Sequence, residues 1–407
     1  MKRQHPRLPT DAGPDDASRD ELSVTIFGLG NIGSQVAPHV ARLAGIRRVT
    51  LVDRDLYEES NLRTQQILRC DLGQPKVEVQ ARRLRSIRPD LRVRALYSEI
   101  DELPLGLLRA TVLLSCLDSR GARRTVNEIS MRLGVPWIDA GIRVDANLAR
   151  VTTFIPGRDR VCLECSFTAA DYAALDDPQP CDRGAINIAP TTGGASYHGA
   201  LAAALQALEL AQLLSTACGE ERSGRDLVIE ATHGALWRSR RVRNPQCRLS
   251  HDVWSPRRLR AAPHQLTLGS LTELARVELG AAPITLAVQG RRFARAVTCR
   301  GCGLRRSDAR FVARRGDSDS RCQRCSGPTV AVGDDGDSEF ALDSASALQR
   351  SSPLTHFGLR AGDVLSLQAS SAVVRFELPV PESAPAAPTV AENKLNAAAE
   401  CESVYEQ

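Results

Sequence analysis

A chain of 407 residues is two to three times the length of a typical domain, so more than one core is expected. Its 53 basic and 48 acidic residues leave a net charge of +5, too slight and too dispersed for a nucleic-acid-coating protein. A hydrophobic content of 43% excludes wholesale disorder, and 4% aromatics make the core aliphatic. No apolar stretch reaches the roughly twenty residues of a membrane span. The polar start MKRQHPRLPTDAGPDDASRD has no signal-peptide core, so the expected setting is cytoplasmic, with neither membrane nor nucleic acid as partner.

Residues 1–20 read as a mobile arm rich in Pro, Asp and Arg. From residue 22 strands and helices alternate. LSVTIFGLG is a strand ending in glycines, SQVAPHVARLAG a helix, and RRVTLVDRD a second strand. KVEVQARRLRSIRP follows as an amphipathic helix ended by Pro89, then the strands LRVRALYS and TVLLSCLD. RGARRTVNEISMRLG is a helix closed by glycine and VPWIDAG a further strand. This alternation predicts an α/β fold with a Rossmann-like, doubly wound, mostly parallel sheet. Residues 150–195 read as irregular, ASYHGALAAALQALELAQLL as a small-residue helix, and DLVIEATHGALWRSRRVRN as a terminal hairpin. The expected domains are 21–254 and a smaller α+β module over 255–380 containing a zinc ribbon at 299–325. In that module HFGLRAGDVLSLQASSAVVRFELP suggests two strands around a Gly-Asp turn, and 381–407 reads as a disordered tail.

Gly28-Leu29-Gly30-Asn31-Ile32-Gly33 follows a strand and opens a helix. Its glycines permit a tight turn, and the helix start offers unpaired N–H groups to phosphate. Asp53 ends the next strand, where a ribose acceptor is expected. A dehydrogenase and an ATP-using enzyme could both begin this way, although residues for hydride transfer to a nicotinamide are not identifiable. Among 53 basic residues only three are lysines, at positions 2, 76 and 394. In such an Arg-biased chain the interior Lys76 is a functional candidate, because a compact ammonium is not freely replaced by a guanidinium.

The neighbouring residues resemble the ThiF/MoeB/HesA adenylyltransferase superfamily, which includes the activating enzymes of ubiquitin-like proteins. They are Asp53-Arg54-Asp55, Ser60-Asn61-Leu62-Arg63-Thr64-Gln65, Gly73-Gln74-Pro75-Lys76 and Cys116-Leu117-Asp118-Ser119, with Arg123 and Asn127 downstream. The resemblance spans residues 22–252. It implies binding of ATP and of the C-terminal glycine of a ubiquitin-like or sulfur-carrier β-grasp protein, acyl-adenylate formation and pyrophosphate release by a homodimer. Lys76 matches the phosphate lysine, Asp118 the acid associated with Mg²⁺, Asp53 and Asp55 the ribose side, and Asn61 the phosphate-facing asparagine. As a residue between strand and helix, Asp118 could also be a plain N-cap. Two departures stand out: Arg63 lies one residue before the family's arginine, with Thr64 in its place. The family's N-terminal arginine has only Arg3, Arg7 and Arg19 as unaligned candidates.

Twelve cysteines complete the pattern. Cys162 and Cys165 supply half of a tetrahedral site. In the family a second pair follows an Asn-Pro; here Asn244-Pro245-Gln246-Cys247 is followed by Ser250 and His251, which implies a Cys₃His zinc site, or an incomplete one if His251 is merely solvated. Cys299, Cys302, Cys322 and Cys325 have zinc-ribbon spacing, so about two Zn²⁺ per chain are expected. Cys181, alone in Pro180-Cys181-Asp182-Arg183, resembles the family's transfer cysteine, which accepts the activated carboxyl as a thioester before a conjugating enzyme or takes part in sulfur transfer. Cys70, Cys116 and Cys218 read as ordinary partly buried residues, and Cys401 lies in the tail.

Overall fold

The computed structural model describes residues 21–176, 195–215, 219–280, 283–313, 317–332 and 339–381. Cα packing divides the chain into two compact units. Of the described residues, one unit takes 21–100 together with Arg109–Trp254; the other takes Asp101–Leu108 with those from Ser255 to 381. Residues 101–108, which the sequence places inside the first domain, therefore pack with the second unit, where the Gly106 N–H donates to the Gly362 carbonyl at 2.8 Å.

In the first unit the elements are β1 (Leu22–Phe27), α1 (Gly33–Arg42), β2 (Ile46–Asp53), α2 (Lys76–Ile87), β3 (Arg92–Tyr97), β4 (Val112–Ser115) and α3 (Arg120–Leu133). They continue with β5 (Trp137–Arg143), β6 (Leu148–Phe154), α4 (Ala169–Asp176), α5 (Ser196–Ser215), β7 (Arg225–Glu230) and β8 (Ala235–Arg240). One eight-stranded sheet has the order β3-β2-β1-β4-β5-β6-β7-β8. The first five strands are parallel and the last three antiparallel.

Local chemistry explains the boundaries. α2 stops because Arg88 precedes Pro89, whose ring disfavours helical backbone in the residue before it; Arg88 takes φ −146° and ψ 97°. α3 starts at Ser119, whose hydroxyl accepts the Ala122 N–H at 3.1 Å, and ends at Gly134 with φ 65°. The buried faces of α1, α2 and α5 share one aliphatic cluster with β1, β2, β4 and β5, including Ile26, Val36, Leu51, Leu84 and Leu114. The described part of the stretch 150–195, residues 150–176 and 195, is more regular than its sequence suggests. β6 runs through it, because β5 on one side and β7 on the other satisfy its ladder, and α4 also lies within it.

The second unit begins with β9 (Arg257–Arg258), α6 (Leu268–Leu279), β10 (Thr285–Val288), β11 (Arg291–Cys299) and β12 (Arg305–Ala313). It continues with β13 (Asp317–Arg321), β14 (Pro328–Val332), β15 (Glu339–Ala341), α7 (Ala347–Ser351), β16 (Val364–Ala369) and β17 (Ala372–Glu377). Its two sheets have the orders β15-β10-β16-β17-β9 and β12-β11-β14-β13. The β16–β17 hairpin turns at Ser370, with φ 53°, and not at the Gly-Asp pair. Gly362 and Asp363 lie before β16, where buried Asp363 accepts the Arg360 N–H at 2.7 Å and pairs with Arg291 at 3.0 Å. The side-chain anchor, invisible to turn statistics, decides the geometry there.

Among the described residues no helix is long and apolar enough to cross a membrane. The arm 1–20 with Arg3, Arg7 and Arg19, the cysteines Cys181, Cys218 and Cys401, and residues 382–407 lie outside the described residues.

Candidate nucleotide site and metal centres

β1 hydrogen-bonds to both β2 and β4, so the chain reverses its winding there. Ligands of open α/β sheets bind outside the carboxyl ends of the strands at such a point. The glycine turn lies on that edge. Gly28 has φ 83°, and a Cβ on it would sit 2.7 Å from the Cys116 carbonyl oxygen. A Cβ on Gly33 would sit 1.9 Å from the Gly28 carbonyl oxygen. Gly30 differs: its Cβ would meet nothing nearer than Gln65 Nε2 at 4.0 Å. Gln65 Oε1 is buried and finds no hydrogen-bond partner among the described residues. An open glycine beside the Gln65 amide nitrogen, a donor, fits a phosphate cradle that takes a nucleotide. Gly33→Ala is thus expected to lower the thermal midpoint. Gly30→Ala should leave the midpoint near wild type and weaken ATP binding roughly ten- to a hundredfold, for an overpacking cost of about 1–3 kcal/mol. Calorimetric melts and ATP titrations separate the two outcomes.

Asp53 anchors the turn. One carboxylate oxygen accepts the Leu29 N–H at 2.6 Å and the other the Asp55 N–H at 2.8 Å. Burial pushes its carboxyl up, against the pull of Lys76 and of those two N–H groups. Buried Tyr57 donates its hydroxyl to the Leu29 carbonyl at 3.0 Å and accepts from Gln80 Nε2 at 2.8 Å. Leu29 is therefore held through both backbone groups. Tyr57 and Gln80 carry no motif signal, and the sequence did not single them out.

Lys76 opens α2 with only 7% of its surface exposed, its Nζ 3.2 Å from Asp55 Oδ2 and 5.8 Å from the Tyr57 ring centroid. Asp118 is exposed beyond β4, and Ser119 takes the N-cap role, so the Asp118 carboxylate is not spent on capping. The Arg54 guanidinium, raised chiefly by its hydrogen bond to Glu99, is raised further by Asp55 and Asp118. Asp118, exposed and not spent on capping, is a hard oxygen donor of the kind Mg²⁺ takes. Asn61 Oδ1 accepts the Glu58 N–H at 3.0 Å and caps the turn at Glu59–Arg63. Arg63 ends that turn exposed. Asn31 donates to the Ala195 carbonyl at 3.4 Å, and Gly199 lets α5 approach it, since a Cβ there would lie 1.9 Å from Asn31 Oδ1.

The first metal centre unites Cys162, Cys165, Cys247 and His251, whose ligand atoms all lie within 4.8 Å of one another. The Cys162–Cys247 and Cys162–Cys165 sulfurs are 3.7 and 3.8 Å apart, and Cys165 Sγ is 3.8 Å from His251 Nε2. A tetrahedron with Zn–S bonds of ~2.3 Å has edges of about 3.8 Å, which these three separations match, so the set fits zinc. The alternative of a solvated His251 is not what folds: the ring is 5% exposed and completes the cluster. Asn127 Oδ1 accepts the Leu163 N–H at 3.0 Å, and Asn127 and Arg124 reach buried Glu164 at 3.4 and 3.3 Å. α3 thereby holds the Cys162–Cys165 knuckle.

The second centre is Cys299, Cys302, Cys322 and Cys325, again within 4.8 Å. The Cys302 N–H, at 3.4 Å, leads the contacts that draw the Cys299 thiol down to about 6. All seven cysteines of the two centres are free, whereas Cys70, read as an ordinary residue, is disulfide-bonded.

Fold, glycine turn and charge arrangement together define a nucleotide-binding doubly wound domain with a thiolate metal centre. The ThiF family profile matches residues 11–249, and the chain belongs to the ThiF family. It is 29% identical over 226 residues to the sulfur carrier protein ThiS adenylyltransferase of Escherichia coli, covering 55% of this chain and 83% of that protein. It is 28% identical over 255 residues to a sulfur carrier protein adenylyltransferase of Thermus thermophilus, with 61% and 89% covered. The SAMP-activating enzyme E1 of Haloferax volcanii is 28% identical over 242 residues, with 58% and 83% covered. Among solved structures, E. coli MccB with ATP superposes with a TM-score of 0.47 at 22% identity, over 57% of this chain and 66% of that one. The relatives are adenylyltransferases and E1-type activating enzymes, and the family match stops before the second metal centre.

Proposed function

We propose that this protein uses ATP to adenylate the C-terminal carboxylate of a ubiquitin-like or sulfur-carrier β-grasp protein. The observation that carries the reading is the open Gly30 cradle with Lys76 and Asp118 on one sheet edge, in a chain whose relatives are named for that reaction. A carboxylate oxygen attacks the α-phosphorus, the bond to the β-phosphate oxygen breaks, and pyrophosphate leaves. The backbone N–H groups of the turn and the Lys76 ammonium offset the charge that gathers on the phosphates. Asp118 would hold Mg²⁺, which neutralises phosphate oxygens when bound. Asp53 and Asp55 serve the ribose side, and Arg63 reaches the phosphates from its exposed turn. Both zinc centres are structural, and the working form is a homodimer, which sedimentation analysis tests. Pyrophosphate exchange stimulated by candidate carrier proteins tests the reaction itself; exchange that ignores every carrier overturns it.

Cys181 then accepts the acyl group. Its thiolate attacks the acyl carbon, AMP leaves, and the thioester passes to a conjugating enzyme. Because the thiolate acts on an adenylate already made, Cys181→Ala is expected to keep exchange and lose a reductant-sensitive carrier adduct on non-reducing gels. A wild type that exchanges but never forms the adduct assigns the enzyme to direct sulfur transfer without a thioester.

A further inference from the structure

Asp118 stands in an exposed turn, and what keeps it there is not its own side chain. The turn runs from Cys116, at the end of β4, to Ser119, the cap of α3. Its middle carbonyl, on Leu117, accepts a hydrogen bond from Arg123 Nη2, one turn into α3. The other arm of the same guanidinium, Nη1, pairs with Asp139 Oδ2. Asp139 is fully buried in β5, and its second oxygen accepts the Ser115 hydroxyl at 2.6 Å. Ser115 in turn accepts the Trp137 indole N–H at 2.9 Å.

The chain of contacts runs from the sheet interior to the turn, and each link is buried or partly buried. Charge-assisted bonds of a planar, two-armed guanidinium are directional, and they are stronger in such surroundings than in water. The packing also leaves room for one shape only. A Cβ on Gly141 would lie 3.1 Å from Arg123 Nη2 and 3.4 Å from Nη1, so glycine at that strand position lets the guanidinium lie flat against β5. A lysine could keep the charge opposite Asp139 but could not span both Asp139 and the Leu117 carbonyl.

We infer that Arg123 is a positioning residue for Asp118: the Asp139–Arg123 pair pins the Leu117 carbonyl and thereby aims the carboxylate that holds Mg²⁺. The inference rests on the proposed nucleotide role of Asp118. Removing such a partner of a metal-holding group typically costs ten- to a hundredfold in metal affinity or activity.

The test compares ATP titrations of the full-length protein in EDTA and in Mg²⁺. Wild type should bind ATP more tightly with Mg²⁺, and Asp118→Asn should lose that gain. Arg123→Lys is expected to lose about tenfold of the gain while keeping its EDTA affinity. Gly141→Ala, which nudges the guanidinium without touching its charge, should lose less in the same direction. Amide exchange without any ligand should quicken at Leu117–Ser119 in both. Equal weakening with and without Mg²⁺, or an unchanged Mg²⁺ gain in folded Arg123→Lys, overturns the inference. If that happens while Asp118→Asn behaves as stated, the nucleotide reading stands and only the role of Arg123 falls. If Asp118→Asn keeps the Mg²⁺ gain, both fall together.

Discussion

Lys76→Ala is expected to lower carrier-stimulated ATP–pyrophosphate exchange by about 100- to 1,000-fold, the usual cost of one lost electrostatic contact to a transition state. The side chain is almost fully enclosed between Asp55 and the Tyr57 ring, so its ammonium is desolvated and aimed. Asp55 is more than half exposed, and the pair alone adds little to stability. The fold should therefore survive the substitution, as circular dichroism and a melt would verify. Lys76→Arg should rescue poorly, because a guanidinium is wider than the slot and spreads its charge. Asp118→Ala should lose exchange on the same scale for the complementary reason, removal of a hard oxygen donor. Near-normal exchange by either folded variant removes that residue from the mechanism.

The second large effect concerns the thiolate centres. Zinc binding by a structural site contributes on the order of 10–16 kcal/mol, comparable to the whole stability of a domain, about 5–15 kcal/mol. Metal analysis should find about two zinc ions per chain. Cys247→Ser is expected to lose one of them and to unfold or aggregate the first unit, since Cys247 closes a tetrahedron that also ties down Cys162 and Cys165. Cys302→Ser should lose the other and loosen the second unit, read as faster proteolysis within residues 255–380. One zinc in well-folded wild type removes one of the two assignments. The centre that retains its metal in Cys302→Ser identifies which.

Much of the first unit was legible because its signals are local. Val24, Ile26, Leu51 and Leu114 are buried on strands flanked by helices, so the strands read as apolar runs that need no knowledge of neighbours. The glycine turn, the Pro89 stop and the Gly134 cap act through φ and through missing atoms, which residue identity alone dictates. β6 was missed because an antiparallel strand of mixed Arg, Thr and Ala draws its stability from β5 and β7, which its own sequence does not contain.

The same division runs through the site. Residue identity alone marks Gly28, Gly30, Gly33, Asp53, Lys76 and the eight metal-type ligands, because phosphate cradles and thiolate tetrahedra demand particular atoms at particular spacings. Tertiary structure alone decides that His251 takes the fourth position at a cluster, whereas the Asn61 and Ser119 caps are local bonds between groups three residues apart. It alone brings Tyr57, Gln80, Arg123 and Asp139 beneath the site. The reason is range. A hydrogen bond is won only when two groups from distant segments meet within about 3 Å, and the packing of the whole unit, not the spelling of either segment, sets that meeting.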